Sequence, residues 1–171
     1  GKSTAMKMLY GLYAPDAGQI RVRGESVRFR SPREALAHKI GMVHQHFMLA
    51  ETMTVLDNII LGAEGAWGLG RIDRAQVHQR LGILMQENSL PVDLDARIED
   101  LPVGLQQRVE ILKLLYRDCD ILILDEPTAV LTPQETEAFF AQLRKLNDKV
   151  PIGGRKEIVE KFGARSSARI V

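Results

Sequence analysis

Residues 120–127 read DILILDEP, and this run constrains the fold more than any other stretch of the chain. Ile121 to Leu124 are unbroken apolar, the pattern of a central parallel strand covered on both faces. The run ends in two carboxylates, Asp125 and Glu126, and Pro127 stops the strand. Charges at the carboxyl end of a buried strand cost free energy unless they serve a purpose, and that edge is where α/β sheets bind ligands. Phosphoryl transfer supplies one. One carboxylate holds a magnesium ion, directly or through water, and its neighbour orients and deprotonates the attacking water. The plainer alternative is a strand that ends in a solvated acidic turn, and the acidic pair alone does not separate the two.

The opening residues bear on that choice. Gly1-Lys2-Ser3-Thr4 matches the second half of a phosphate-binding loop, G-x-x-x-x-G-K-[ST], followed at once by a short helical pattern in which Met6, Leu9, Tyr10 and Tyr13 share a side. In such a loop Lys2 gives a positive charge to the β- and γ-phosphates and Ser3 a hydroxyl to the magnesium. The first helix turns its N–H groups toward the anion. Asp125 would then complete the metal site from the neighbouring strand. The two segments together favour a nucleotide site over two coincidences.

Between them the pattern is α/β. QIRVRG and SVRFR alternate apolar and basic residues as two short strands of a half-exposed sheet. SPREALAHK is a helix with Ser31 as N-cap and Pro32 at its first position, and IGMVHQ is a brief apolar strand. TVLDNIILG is a helix capped by Thr54, GAEGAWGLGR a connector, and DRAQVHQRLGILMQENSL a helix capped by Asp73. LQQRVEILKLLYRD is a helix with Val109, Leu112 and Leu115/Tyr116 on one face. TPQETEAFFAQLRKLND is another, with Thr132 as cap and Glu135 at the capping-box position. This order predicts an α/β core carrying a mostly helical subdomain around residues 52–115. The last segment, VPIGGRKEIVEKFGARSSARIV, is basic and shows no strong buried strand.

Composition excludes several classes. With 171 residues, 45% of them hydrophobic and a net charge of +1, the chain supports one domain with a core and carries no basic stripe for nucleic acid. Cys119 is the one cysteine, so no disulfide forms within the chain, which fits a reducing compartment. No apolar run approaches the length of a membrane span. His44 and His46 flank Gln45 without a third ligand at metal-site spacing, and they read as loop histidines.

LPVGLQQRVEILKLLYRDCDILILDEPTAVLTPQE resembles the region from signature to D-loop of ABC transporter ATPases, most closely those serving sugar or nucleoside importers. GMVHQHFMLAETMTVLDNIILG resembles their Q-loop region, and the likeness runs over residues 1–147, as in the first half of tandem ATPase subunits. The resemblance implies a P-loop α/β core with a small antiparallel subdomain and a helical subdomain. It implies ATP and Mg2+ as cofactors, Glu126 as general base, and Gln45 as a metal ligand that senses the γ-phosphate. Gly1, Lys2, Ser3, Thr4 and Gln45 would bind nucleotide, with Ser3, Gln45 and Asp125 at the metal. LPVGLQ stands where the family has LSGGQ, which grips ATP bound to the opposite domain. Leu101 and Gly104 match, Pro102 removes the serine hydroxyl and Leu105 replaces the glutamine. Pro102, Val103, Gly104, Leu105 and Gln106 are therefore expected to form a contact of reduced strength. Thr128 to Thr132 match the D-loop position, and Asp118 and Asp120 receive no chemistry. The implied partners are permease transmembrane subunits, a second ATPase domain in a tandem or dimer and, indirectly, a substrate-binding protein, with no nucleic acid. The implied location is peripheral, on the cytoplasmic face of the cell membrane.

Two departures qualify this. The chain opens inside the phosphate loop, and no histidine or preceding apolar strand occupies the place, about thirty residues after Glu126, where the family puts a switch histidine. The expectation is a domain truncated at both ends, inactive alone, with residues 148–171 as an atypical tail. A catalytically degenerate nucleotide-binding or regulatory fragment is the alternative. A non-transport ABC ATPase would need a coiled-coil insertion or basic linker, and neither is visible in the sequence.

Overall fold

A computed structural model of the chain describes residues 2–44, 47–63, 73–125, 127, 131–148 and 157–160. Helix α1 spans Lys2–Leu9 and closes on Gly11, whose φ of +79° a side chain would resist. Strands β1 (Ile20–Val22) and β2 (Glu25–Val27) form an antiparallel hairpin with Val22 opposite Glu25. Its two-residue turn, Arg23 and Gly24, takes positive φ at both positions (53° and 85°), which matches strand twist. Strand β2 ends at Val27, sooner than the SVRFR alternation predicts, because Val27 already pairs with Ile20, the first residue of β1. Helix α2 (Pro32–Ala37) starts as expected, the Ser31 hydroxyl accepting the Glu34 N–H.

The central sheet orders β3 (Ile40–Val43), β4 (Ile121–Leu124) and β5 (Glu157–Glu160), all parallel. The sequence reading assigns no strand to the closing segment, yet β5 lies beside β4 with Ile158 opposite Leu122 and Val159 opposite Ile123. Two β-branched residues between glutamates are too short a run for alternation to register.

Between β3 and β4 the described chain is helical. Helix α3 (Val55–Ile60) is capped by Thr54, α4 (Arg74–Asn88) by Asp73 and ended by left-handed Ser89, and a 3-10 turn covers Ile98–Asp100. Helix α5 runs Val103–Tyr116, beginning before the expected Leu105 because Pro102 serves as its N-cap residue. Helix α6 (Pro133–Asp148) follows, its Thr136 N–H bonded to the Thr132 carbonyl, while the Glu135 side chain, expected in a capping box, lies outside the described part. Residues 64–71 of the glycine-rich connector also lie outside the described residues.

Alternation sorts the core into two layers. Ile40, Met42 and Ile123 pack with Met6 of α1, Tyr10 just after it, the hairpin's Val22, Phe29 before α2 and Ala35 within α2. Val43, Leu122 and Leu124 join the larger layer built from α3, α4, α5 and α6. α5 is buried nearly all round, from Gln107 through Glu110 to Tyr116, rather than on the one face that the periodicity of its apolar residues predicts. It approaches β3 closely because Gly41 has no side chain: a Cβ there would meet Leu114 Cδ2 at 2.8 Å and Cys119 Sγ at 3.0 Å. Asp118 and Asp120 act structurally, Asp118 pairing with Arg80 at 3.0 Å and Asp120 with Arg23 at 2.7 Å.

Candidate functional site

The carboxyl ends of β3 and β4 leave the sheet together. Val43 stands opposite Leu124, and the Asp125 N–H bonds to the Val43 carbonyl at 3.1 Å, so His44 and Asp125 emerge side by side. Asp125 is 7% exposed although it is a carboxylate at a strand end. The His44 ring meets the ring of Tyr10 edge-on, with centroids 5.7 Å apart. Burial holds the His44 imidazole below its ordinary range; Asp125 opposes that shift and Lys7 reinforces it, so both charges lie within electrostatic reach. The structure thus brings α1, the end of β3 and Asp125 to one edge, the place where a parallel sheet offers a ligand site.

Of the residues expected from sequence, Gly1, Gln45 and Glu126 lie outside the described residues. Lys2 and Ser3 begin α1, but their side chains lie outside the described part, and Thr4 is exposed on that first turn. Asp125 is the one expected metal ligand whose side chain is described. Its oxygens, with the hydroxyl and amide oxygens expected of Ser3 and Gln45, are the hard donors that magnesium takes, and its shielded position fits that role. Among the described residues no cluster of three or more His, Cys, Asp or Glu is poised for a metal.

Pro102 precedes α5 with extended ψ (150°) and gives no side-chain cap. Its carbonyl accepts the N–H groups of Leu105 (2.8 Å) and Gln106 (3.1 Å), so among the expected contacts Val103 and Gly104 are the ones left to offer backbone donors at the helix start. The Gln106 amide turns inward to the carbonyls of Leu101 (2.9 Å) and Ile98 (3.3 Å). The next residue, Gln107, is 1% exposed and its Nε2 donates to the Pro127 carbonyl, tying α5 to the residue that follows Glu126. The Gln107 Oε1 is buried and has no hydrogen-bond partner among the described residues.

Sequence reasoning missed Gln107 and, further along α5, Glu110. The signal was present: Gln107, Glu110, Ile111 and Leu114 recur at helical spacing, which puts two polar residues on a stripe that must be buried. The Glu110 carboxylate accepts the Met48 N–H at 2.8 Å, and Lys113 Nζ donates to the Met48 carbonyl at 3.2 Å. Burial pushes the Glu110 carboxyl up and the Lys113 ammonium down; each partly offsets the other's shift.

Among the described residues, a parallel sheet with helices packed on it and a buried carboxylate at the end of its central strand make an α/β core of the kind that takes ligands at its carboxyl edge. The family described as ABC transporter matches residues 1–129, and the chain belongs to it. It is 52% identical over 146 residues to the guanosine import ATP-binding protein NupO of Bacillus subtilis, covering 85% of this chain and 28% of that protein. It is 43% identical over 146 residues to the ribose import ATP-binding protein RbsA 1 of Burkholderia thailandensis, covering 85% of this chain and 29% of that one. The chain therefore spans less than a third of the length of these relatives. Among solved structures, an ATP-binding cassette of an ABC transporter in its ADP conformation matches with a TM-score of 0.73 at 22% identity, over 92% of this chain and 64% of that one. A dimeric bacterial ABC transporter cassette matches with a TM-score of 0.71 at 25% identity, over 92% and 68%. The fold is that of the ABC ATP-binding cassette. No described helix is long and apolar enough to cross a membrane.

Proposed function

We propose that this chain is part of an ATP-binding and hydrolysing subunit that powers import of a sugar or nucleoside through a membrane permease. The observation that carries the reading is Asp125, buried at the carboxyl end of the central strand beside the exit of β3. The likeness to import ATP-binding proteins for guanosine and ribose supports the substrate class. Asp125, with Ser3 and Gln45, would hold magnesium, which when bound draws charge from the phosphates. Lys2 would neutralise the β- and γ-phosphates, and the first N–H groups of α1 would orient them. Glu126 would orient and deprotonate the attacking water.

Residues 102–106 would reach the nucleotide of a second ATPase domain. With proline at the N-cap and the Gln106 amide turned inward, that contact rests on the Val103 and Gly104 N–H groups, which favours a weakened signature site. The exposed Met48, on the segment after Gln45, would face the permease and so bring the subunit to the cytoplasmic face of the membrane. ATP-dependent uptake by vesicles carrying the full-length gene product, permease and binding protein tests this reading. Uptake of a pentose or nucleoside that needs ATP supports it, and ATP-independent uptake refutes it. Pro102→Ser should raise turnover if the weakened contact limits it.

A further inference from the structure

Two side chains of α5, Glu110 and Lys113, and its C-cap residue Arg117 close on the stretch that runs from Met48 through α3 to Leu61. Glu110 takes the Met48 N–H, Lys113 takes the Met48 carbonyl, and Arg117 Nη2 donates to the carbonyl of Leu61 at 2.7 Å. From the other side Asn58, fully buried, bonds both polar groups of Ala50, at 2.7 and 3.0 Å. The segment is thus gripped at its start and end by one helix. Packing does not require this. A carboxylate that is 4% exposed is costly to bury, and an apolar side chain of similar volume would fill the same space without that cost. Met48 itself is 66% exposed, so the side chain gains little from packing there. Four residue steps separate His44 from Met48, at most roughly 14 Å of extended chain, so Met48 lies close to the sheet edge beside Asp125.

We propose that Glu110 and Lys113 are positioning residues that make the chain after β3 move with α5, so that a contact at the α5 amino end is transmitted to the edge carrying His44 and Asp125. The proposal rests on the ATPase reading for its ligand, but its geometry does not. α5 is suited to the task because its first turn carries the expected second-domain contact, Gln107 ties it to Pro127, and Glu110 lies one further turn along.

The test is hydrogen exchange at the Met48 amide, with and without MgATP, together with steady-state ATP turnover. It compares the full-length gene product with Glu110→Leu and Glu110→Gln. Leucine removes the acceptor and the charge, whereas glutamine keeps an acceptor oxygen. Glu110→Leu should speed exchange at Met48 by at least about tenfold, the equivalent of one hydrogen bond to a charged group. It should also abolish the slowing of that exchange by MgATP and lower kcat more than it raises KM. Glu110→Gln should restore most of each effect. Unchanged Met48 exchange in Glu110→Leu overturns the clasp. Faster exchange with the nucleotide effect intact overturns the transmission and leaves a merely local contact. If the unaltered protein neither hydrolyses ATP nor changes its exchange on adding MgATP, the ATPase reading fails instead, and the clasp is still judged on Met48 exchange alone.

Discussion

Asn58 satisfies both backbone polar groups of Ala50: its Oδ1 accepts the Ala50 N–H at 2.7 Å and its Nδ2 donates to the Ala50 carbonyl at 3.0 Å. The same Nδ2 also reaches the Thr54 carbonyl at 3.0 Å, inside the first turn of α3. A fully buried amide that stands in for a strand partner in this way holds the loop onto the helical layer. Asn58→Ala should cost about 1–3 kcal/mol, since it removes several hydrogen bonds and leaves a cavity. Chemical denaturation measures it, and Asn58→Leu should be no better, since the groups left behind remain unpaired.

Two glycines should respond to alanine with opposite signs. Gly11 has φ +79°, and a Cβ there would stand 2.6 Å from the backbone oxygen of Ser31, which cannot yield without disturbing the start of α2. Gly11→Ala should destabilise by about 1–3 kcal/mol. Gly82 lies within α4, and a Cβ there would meet nothing within 4 Å. Gly82→Ala should stabilise by up to about 1 kcal/mol. Melting temperatures of the two variants, read against the parent, decide both.

Two carboxylates carry pH dependences of opposite sign. The Asp57 carboxyl is held below its ordinary 3.8 first by the hydrogen bond from Arg74 and then by that from Thr54. Its contribution is therefore present above the unfolded value and is lost as the pH falls through the folded one. The advantage of the parent over Asp57→Asn, at most about 1 kcal/mol for so accessible a pair, should shrink on acidification. Glu110 is raised above its ordinary 4.5, first by burial, with Lys113, the Met48 N–H and Arg117 opposing. The folded state then holds the proton more tightly than the unfolded state, so this residue's contribution falls as pH rises through that window. Relative to the parent, Glu110→Gln should become more stable from pH 4 upward, as read by denaturation at a series of pH values.

Much of the fold was legible because local signals agreed with it. Ser31, Thr54 and Asp73 cap the helices they were expected to cap, and the apolar run 121–124 is the doubly covered central strand. β5 escaped because four residues with charged ends carry too little periodicity, and its place depends on pairing with β4. The place of Asp125 at the strand end could be read from the sequence, since the unbroken apolar run fixes where the strand stops. Gln107, Glu110 and Lys113 could not be assigned partners, because what they hold is backbone 20 to 65 residues distant in the chain. Side chain–backbone bonds of that range leave no local pattern.

The proposed phosphoryl transfer turns on Asp125, buried at the end of β4, and on Glu126, the next residue in the sequence. The most direct measurement is phosphate release from ATP by the full-length gene product, with and without magnesium, beside Asp125→Asn and Glu126→Gln. The account predicts magnesium-dependent turnover that falls at least about a hundredfold in Glu126→Gln, the scale of a lost general base. It predicts that Asp125→Asn is impaired and needs more magnesium. Turnover that is indifferent to magnesium, or that survives both substitutions, would contradict it.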